Sequence, residues 1–272
     1  MTPSESIVVV RDLAVKYGDL TVLDRISLDI RRGEVLVLLG GSGSGKSTLL
    51  RHLLGLEKPL SGSIIVKGVD IVHCSEAELD RVRRFIGVSF QNAALFGSMT
   101  VSENIAFPLL ERTRLVDSII DKVVLLKLAQ VGLVHFGAFY PSELSGGMLK
   151  RASVARATAL DPEILFFDEP SAGLDPITAA GIDELVVYLK NALQMTVLVV
   201  THELQSAFRI ADRLAFLKDR KLVTIGSKDS IAQSTDPWVR QFLDRVPDRT
   251  SNDKTELLQQ LAERLGVQCP KN

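Results

Sequence analysis

The stretch Gly40-Gly41-Ser42-Gly43-Ser44-Gly45-Lys46-Ser47 decides the fold of this chain. It fits the pattern G-x-x-x-x-G-K-[ST], follows the fully apolar residues 35–39, and opens a helix predicted over residues 46–56. The backbone N–H groups of such a loop and the positive end of the helix bind phosphate, while the lysine reaches the outer phosphates. A glycine-rich turn with a chance lysine is the alternative, and the strand and helix on either side disfavour it. The stretch therefore predicts a P-loop.

The predicted nucleotide contacts come from consecutive residues of this loop: Gly40, Gly41, Ser42, Gly43, Ser44, Gly45, Lys46, Ser47 and Thr48. We expect the Ser47 hydroxyl to coordinate magnesium as well, and Lys46 to act in catalysis through the phosphates. The predicted ligands are thus ATP and Mg²⁺.

Further short apolar segments at residues 86–90, 164–167 and 196–200 are separated by helical stretches. This alternation predicts an α/β fold with an open, mostly parallel core sheet covered on both faces. Near the N-terminus, Ile26, Leu28 and Ile30 alternate with polar residues, which favours an antiparallel β region.

Strand signals vanish over residues 92–140, where Thr100 and Glu103 form a capping box. We therefore predict an inserted helical sub-domain over about residues 92–160, within one domain that spans residues 1–245. Residues 246–272 are predicted to be a polar linker followed by a short amphipathic helix with a leucine stripe.

Two acidic residues, Asp168 and Glu169, follow the apolar segment 164–167. A buried parallel strand delivers its last residues to the ligand crevice of the sheet. Asp168 is suited to holding magnesium, and Glu169 to orienting and deprotonating the attacking water. A solvated turn is the alternative for the pair taken alone, and the upstream P-loop favours the functional interpretation.

The segment Leu144-Ser145-Gly146-Gly147-Met148 opens a second predicted helix, over residues 148–159. Small residues and free N–H groups at a helix start form an anion site. The alternative is an ordinary serine cap followed by flexible glycines. The segment resembles the signature sequence of ABC transporter ATPases, and it lies between the P-loop and the acidic strand, as in that family.

The resemblance covers about residues 7–225 and implies an ABC ATPase fold with further site residues. Tyr17 resembles the aromatic residue that stacks on adenine, and Gln91 resembles the glutamine that contacts magnesium and acts in catalysis. His202 resembles the switch histidine at the γ-phosphate, and residues 171–175 resemble the loop that contacts a second subunit. The family geometry implies a dimer in which Ser145, Gly146 and Gly147 of one copy bind the nucleotide held by the other.

Met148 departs from the glutamine usual at the fifth signature position. Together with several other segments, Met148 makes the chain resemble the ATPase of Mla-type lipid transporters. These segments are residues 91–96, 108–109, 141–143 and 236–243. That resemblance implies two ATPases, two permease subunits and a periplasmic lipid-binding protein of the MCE kind, sometimes with a STAS-domain regulator. Leu95, Phe96 and Phe107 form either a groove for a permease helix or interior packing.

Composition excludes several other classes. Lys and Arg number 32 against 33 Asp and Glu, so a net charge of −1 provides no basic field for nucleic acid. No apolar run reaches the roughly 18 residues of a membrane span, and the N-terminus lacks a signal-peptide pattern. We expect a cytoplasmic protein, held at the inner face of the membrane through the permease.

Two alternative functions retain ATP hydrolysis but use it for a different purpose. One is an importer for a polar solute such as an amino acid, and the other is a non-transport ABC ATPase. Against the second, about 120 residues separate Lys46 from Asp168 without the sustained heptads of DNA-linked relatives.

Overall fold

The structure is a computed structural model, and it describes residues 5–246. The strands are β1 Ser6–Tyr17, β2 Leu20–Arg31, β3 Val35–Leu39, β4 Ser61–Val66, β5 Val69–Asp70, β6 Ile86–Ser89, β7 Ile164–Asp168, β8 Thr196–Thr201, β9 Arg213–Lys218 and β10 Lys221–Ser227. The α-helices are α1 Lys46–Leu53, α2 Glu76–Arg83, α3 Val101–Arg112, α4 Asp117–Gln130, α5 Gly146–Ala157, α6 Pro176–Leu193, α7 Leu204–Ile210, α8 Lys228–Ala232 and α9 Pro237–Leu243.

A six-stranded sheet with the order β10-β9-β3-β8-β7-β6 forms the centre of the fold, and only its β10–β9 pair is antiparallel. Its strands β3 and β8 are buried at every residue, as expected for parallel strands covered on both faces. The register pairs Leu39 with Thr201 and Asp168 with Val200. The carboxyl ends of β3, β8 and β7 therefore meet at one edge of the sheet.

A four-stranded antiparallel sheet, with the order β2-β1-β4-β5, contains the N-terminal strands. Side chains from its inner face, from α1 and from the parallel sheet share one apolar core. Members of this core include Val8, Leu23, Leu50 and Leu198. The predicted α/β fold, with an antiparallel N-terminal region and a mostly parallel sheet, is confirmed.

Residues 92–160 contain three α-helices, α3, α4 and α5, which pack on one another. Thr100 and Glu103 form the predicted capping box at the start of α3, because Thr100 Oγ1 accepts from Glu103 N and the Glu103 carboxylate accepts from Thr100 N. This part of the chain is helical as the sequence predicts.

Three predicted helix bounds differ from the structure, including the end of α5, which lies at Ala157 and not at Ala159. Helix α1 ends at Leu53, because Gly55 takes a left-handed conformation (φ 62°) and its N–H group bonds to His52 O at 2.9 Å. Helix α5 begins two residues early, at Gly146, because Ser145 is its N-cap and accepts from Met148 N at 3.3 Å.

The chain separates into two compact units, residues 1–231 and residues 232–272. The boundary at residue 245 stays a prediction, and the predicted tail helix lies outside the described residues. Within residues 5–246, no helix has the length and apolar character needed to cross a bilayer.

Candidate active site

The P-loop lies between β3 and α1, as the sequence predicts. Gly45 has a φ of 102°, and a Cβ atom there would lie 2.6 Å from Leu23 Cδ2, so the turn requires glycine. The first turn of α1 has no acidic residue to oppose an anion. Lys46 is buried, and its Nζ donates to Gly40 O at 2.8 Å and Gly41 O at 2.9 Å. The loop thus holds a desolvated cation beside free N–H groups, which suits phosphate binding.

Asp168 reaches the P-loop from the end of β7, where Ser47 Oγ donates to Asp168 Oδ1 at 3.2 Å. Burial raises the pKa of Asp168 above its ordinary value, the Ser47 hydrogen bond opposes this rise, and the charge of Glu169 adds to it. Burial lowers the pKa of Lys46, and the charges of Glu169 and Asp168 oppose that shift.

A hydroxyl and a carboxylate at this distance are the hard oxygen donors that Mg²⁺ prefers. Among the described residues, no three His, Cys, Asp or Glu side chains cluster in a way that would hold a metal. One hydroxyl and one carboxylate, as in the Ser47–Asp168 pair, are the protein donors expected when phosphate oxygens share the ion. Ser47 and Asp168 therefore fit a magnesium site.

Glu169 follows Asp168, and both its backbone and its side chain are held by hydrogen bonds. Its φ of 49° is unusual for a residue with a side chain, and its N–H donates to Val200 O at 2.8 Å. One carboxylate oxygen, Oε2, accepts from Thr201 Oγ1 at 3.1 Å, and the other, Oε1, lies 2.8 Å from His202 Nδ1. Glu169 is 8% exposed. The arrangement presents an oriented carboxylate next to Asp168, a candidate magnesium ligand.

Gln91 follows β6, the strand beside β7, and is exposed. Its backbone carbonyl accepts from Lys150 Nζ at 2.5 Å, and the same Nζ donates to Glu169 O at 3.1 Å. The structure therefore connects the predicted residues Gln91 and Glu169 through a lysine on α5.

Tyr17 ends β1 and leaves about half of its surface exposed. Its hydroxyl donates to the Glu57 carboxylate, which also accepts from Arg51 Nη1 at 3.4 Å. The hydroxyl is thus anchored while the ring remains accessible, which suits a residue that stacks on a base.

Ser145 and Gly146 are exposed at the start of α5. A Cβ atom on Gly147 would lie 2.3 Å from Thr178 Cγ2, and one on Gly146 would lie 3.3 Å from Leu174 Cδ2. The Ser145 hydroxyl caps α5, as the alternative interpretation of this serine as an ordinary N-cap predicts. Its exposed position also leaves it available to a second copy.

Three site residues were missed at the sequence level: Lys150, Thr201 and Glu57. Thr201 had a signal, because it directly precedes His202 at the end of a buried strand. Lys150 and Glu57 had none, since their partners are 59, 19 and 40 residues away in sequence.

A phosphate loop after β3 and an acidic pair at the end of β7, at the same carboxyl edge of one parallel sheet, place the protein in the P-loop class of nucleotide-hydrolysing proteins. The chain belongs to the ABC transporter family, whose model matches residues 23–172. It is an ABC ATPase, which binds ATP with Mg²⁺ and hydrolyses it.

Solved structures agree with this assignment. The ATP-binding cassette MJ0796, in a dimeric post-hydrolysis state bound to ADP and Pi, superposes with a TM-score of 0.75 at 31% identity. That match covers 81% of this chain and 98% of that chain.

Two curated relatives carry different names. The intermembrane phospholipid transport system ATP-binding protein MlaF of Escherichia coli is 41% identical, over 89% of this chain and 90% of that protein. The probable ribonucleotide transport ATP-binding protein mkl of Mycobacterium leprae is 44% identical, over 86% of this chain. The match spans 67% of that protein's length, and 65% of its Mycobacterium tuberculosis counterpart.

Proposed function

We propose that this chain hydrolyses Mg-ATP between two copies of itself and so energises phospholipid transport across the bacterial envelope. One observation carries the hydrolytic part: Glu169 lies next to Asp168, and both of its carboxylate oxygens have protein partners. The likeness to MlaF over nine-tenths of both chains supports the lipid cargo.

Each site residue has a role in this proposal. The loop from Gly40 to Thr48 binds the phosphates, with Lys46 on the outer ones, and Tyr17 stacks on adenine. Ser47, Asp168 and Gln91 hold magnesium, which neutralises charge on the phosphates when bound.

Glu169 takes the proton of the attacking water. Its carboxylate is the acceptor, and His202 and Thr201 keep it oriented. His202 also lies at the γ-phosphate in the proposal. Because Glu169 is buried, little bulk water competes for its oxygens.

The composite site needs two copies. Ser145, Gly146 and Gly147 of one copy close the nucleotide bound by the P-loop of the other, so a two-fold dimer has two equal sites. The exposed Ser145 and Gly146 support this geometry.

A permease contact is proposed next to Gln91. Phe96 is 39% exposed and packs edge-to-face on Phe107, with ring centroids 5.0 Å apart. The Arg156 guanidinium lies 4.4 Å from the centre of the Phe96 ring and donates to Ala94 O at 2.6 Å. Phe96 is thus held in place by Phe107 and Arg156 while part of its ring stays exposed, which suits contact with an apolar permease helix.

The complete assembly in this proposal has two ATPases and two permease subunits at the inner face of the cytoplasmic membrane. A periplasmic MCE-type protein and a STAS-domain regulator belong to the proposal through the Mla resemblance. A second cargo, a polar solute, is favoured by the ribonucleotide name of the mycobacterial relatives.

Purification of the membrane complex that contains this chain tests the cargo. We expect mass spectrometry to find phospholipid bound in the complex, and phospholipid to stimulate its ATPase activity. Stimulation by ribonucleotide without bound phospholipid would support the second cargo instead.

Glu169→Gln is the companion test of the site. It keeps the shape of the side chain and removes the base, so we expect kcat to fall by about 100-fold or more while ATP binding persists. The matched control is Glu163→Gln, because the Glu163 carboxylate pairs with Arg32 and Lys67 at the amino end of β7, the end opposite Glu169. Normal turnover in Glu169→Gln would remove Glu169 from the mechanism.

A further inference from the structure

Lys150 is a buried cation on α5 that the mechanism above does not use. It is 7% exposed, and its Nζ donates to two backbone carbonyls, those of Gln91 and Glu169. Burying an ammonium group is costly unless it is fully hydrogen-bonded or compensated by charge. The free-energy cost of burying the Lys150 ammonium group must therefore be offset by specific contacts.

Burial lowers the pKa of Lys150, and the charges of Glu169 and Asp168 oppose that shift. Lys150 and Lys46 are both buried cations, and Lys150 Nζ reaches the acidic pair at the backbone carbonyl of Glu169, 3.1 Å away. Lys46 Nζ donates to carbonyls of the P-loop, whereas Lys150 Nζ donates to the backbone carbonyl of Glu169.

The backbone of Glu169 requires such support. Its left-handed φ is disfavoured for a residue with a Cβ atom, so the conformation persists only where surrounding groups enforce it. The Glu169 N–H group is held by Val200 O, and its carbonyl is held by Lys150 Nζ. Lys150 therefore completes the fixation of a residue whose side chain is already held by Thr201 and His202.

We propose that Lys150 is a positioning residue of the hydrolysis reaction: its ammonium group fixes the backbones of Glu169 and Gln91, and so sets where the Glu169 carboxylate lies. It acts on the Glu169 of its own chain. Because Lys150 stands on α5, a displacement of α5 moves that carboxylate. The inference rests on the proposed role of Glu169.

The first test replaces Lys150 with Met, which keeps the apolar stem and removes the ammonium group, in the full-length chain. We expect kcat to fall by about 10- to 100-fold, as when a charge-assisted hydrogen bond at a reacting group is lost. ATP affinity should change by less than about threefold, because the P-loop is intact. Lys150→Arg should recover part of kcat, since a guanidinium can donate to both carbonyls.

Lys127→Met is the matched control. Lys127 is also a buried lysine of the helical region, on α4, but its partner is Asp161. Melting temperatures of all variants are compared. A Lys127→Met variant of equal stability loss that keeps kcat supports the proposal, whereas an equal fall in kcat for both lysine variants overturns it in favour of general destabilisation.

Mixed dimers distinguish two explanations of a loss of activity in Lys150→Met: an effect on Glu169 of the same chain, or a distortion of α5 that affects the signature residues. In a dimer of Ser145→Arg with Lys46→Ala chains, the one intact site takes its P-loop and Glu169 from the Ser145→Arg chain and its signature from the other. Lys150→Met should lower the restored activity by about 10- to 100-fold when placed in the Ser145→Arg chain and spare it when placed in the Lys46→Ala chain. The opposite result overturns the proposal.

These tests also separate the two levels of inference. If Glu169→Gln keeps normal turnover, the proposed site itself is wrong. If Glu169→Gln is inactive while Lys150→Met is normal, only the role of Lys150 fails. If the unmodified mixture shows no activity, the composite site fails, and the comparison of Lys150→Met with Lys127→Met decides on Lys150 alone.

Discussion

His202 Nδ1 lies 2.8 Å from Oε1 of Glu169, and this contact joins the end of β8 to the end of β7. With Glu169 ionised, the contact requires a proton on Nδ1, and Nε2 lies 3.7 Å from Glu203 Oε1. Thr201 holds the second carboxylate oxygen from the same strand end. One strand thus orients the carboxylate that its neighbour supplies.

Replacing His202 with Ala should lower kcat by about 10- to 100-fold, because a hydrogen bond to a charged acceptor that orients the base is lost. ATP affinity should change much less. Steady-state kinetics and equilibrium binding of an ATP analogue measure the two effects. Thr201→Val is the paired variant, and we expect a smaller loss. Weakened nucleotide binding with unchanged kcat would assign His202 to binding instead.

Replacing Lys46 with Ala should weaken ATP binding. A charge-assisted contact contributes about 1.5–3 kcal/mol, which corresponds to roughly 10- to 150-fold in Kd. Titration with a fluorescent ATP analogue measures the change, and Lys127→Met serves as a control for the loss of a buried lysine. Unchanged affinity would contradict the P-loop assignment.

Replacing Asp168 with Asn should raise the melting temperature of the nucleotide-free protein at neutral pH. Burial raises the pKa of Asp168, so the folded chain binds its proton more tightly than the unfolded chain. Stability is therefore lost as pH rises from the unfolded pKa through the folded pKa, and Asn removes this loss. The gain should be near zero at low pH, grow as pH rises, and then level off.

Asp80→Asn is the control of opposite sign. The hydrogen bond from Arg112 lowers the pKa of Asp80, so its carboxylate contributes stability that is lost as pH falls. We expect a slightly lower melting temperature at neutral pH and no difference at low pH. Equal shifts for both variants would show that the Asp168 effect does not arise from its burial.

Replacing Ser145 with Arg should abolish hydrolysis and spare ATP binding, because Ser145 acts on the nucleotide of the second copy in the proposal. An equal mixture of Ser145→Arg and Lys46→Ala chains forms mixed dimers with one intact site each. We expect activity to return to about a quarter of the unsubstituted value if the chains pair at random. Activity no higher than that of either parent would be inconsistent with the composite site.

The sequence predicted those parts of the site that lie at strand ends. Ser47 and Asp168 are 121 residues apart, yet each follows a recognisable apolar strand, and parallel strands end at the same edge of a sheet. Lys150 escaped prediction for the opposite reason. It belongs to a helix interior, where a lysine is usually solvated, and only the packing of α5 against the ends of β6 and β7 buries it.

Local chemistry also explains two of the bounds that were missed. A leucine-rich stretch continues to Leu56, so periodicity alone extends α1, whereas the left-handed Gly55 ends it. In α5, glycines 146 and 147 have low helix propensity, but the Ser145 cap and packing on α6 make them helical.

The close approach of Gly147 to Thr178 has a mechanical consequence. No side chain fits between the start of α5 and the start of α6, and Leu174 of the preceding loop packs on Gly146. In the proposed dimer, the signature residues at the start of α5 and the loop 171–175 therefore form one rigid unit. A displacement of the start of α5 must therefore be accompanied by a displacement of the loop before α6.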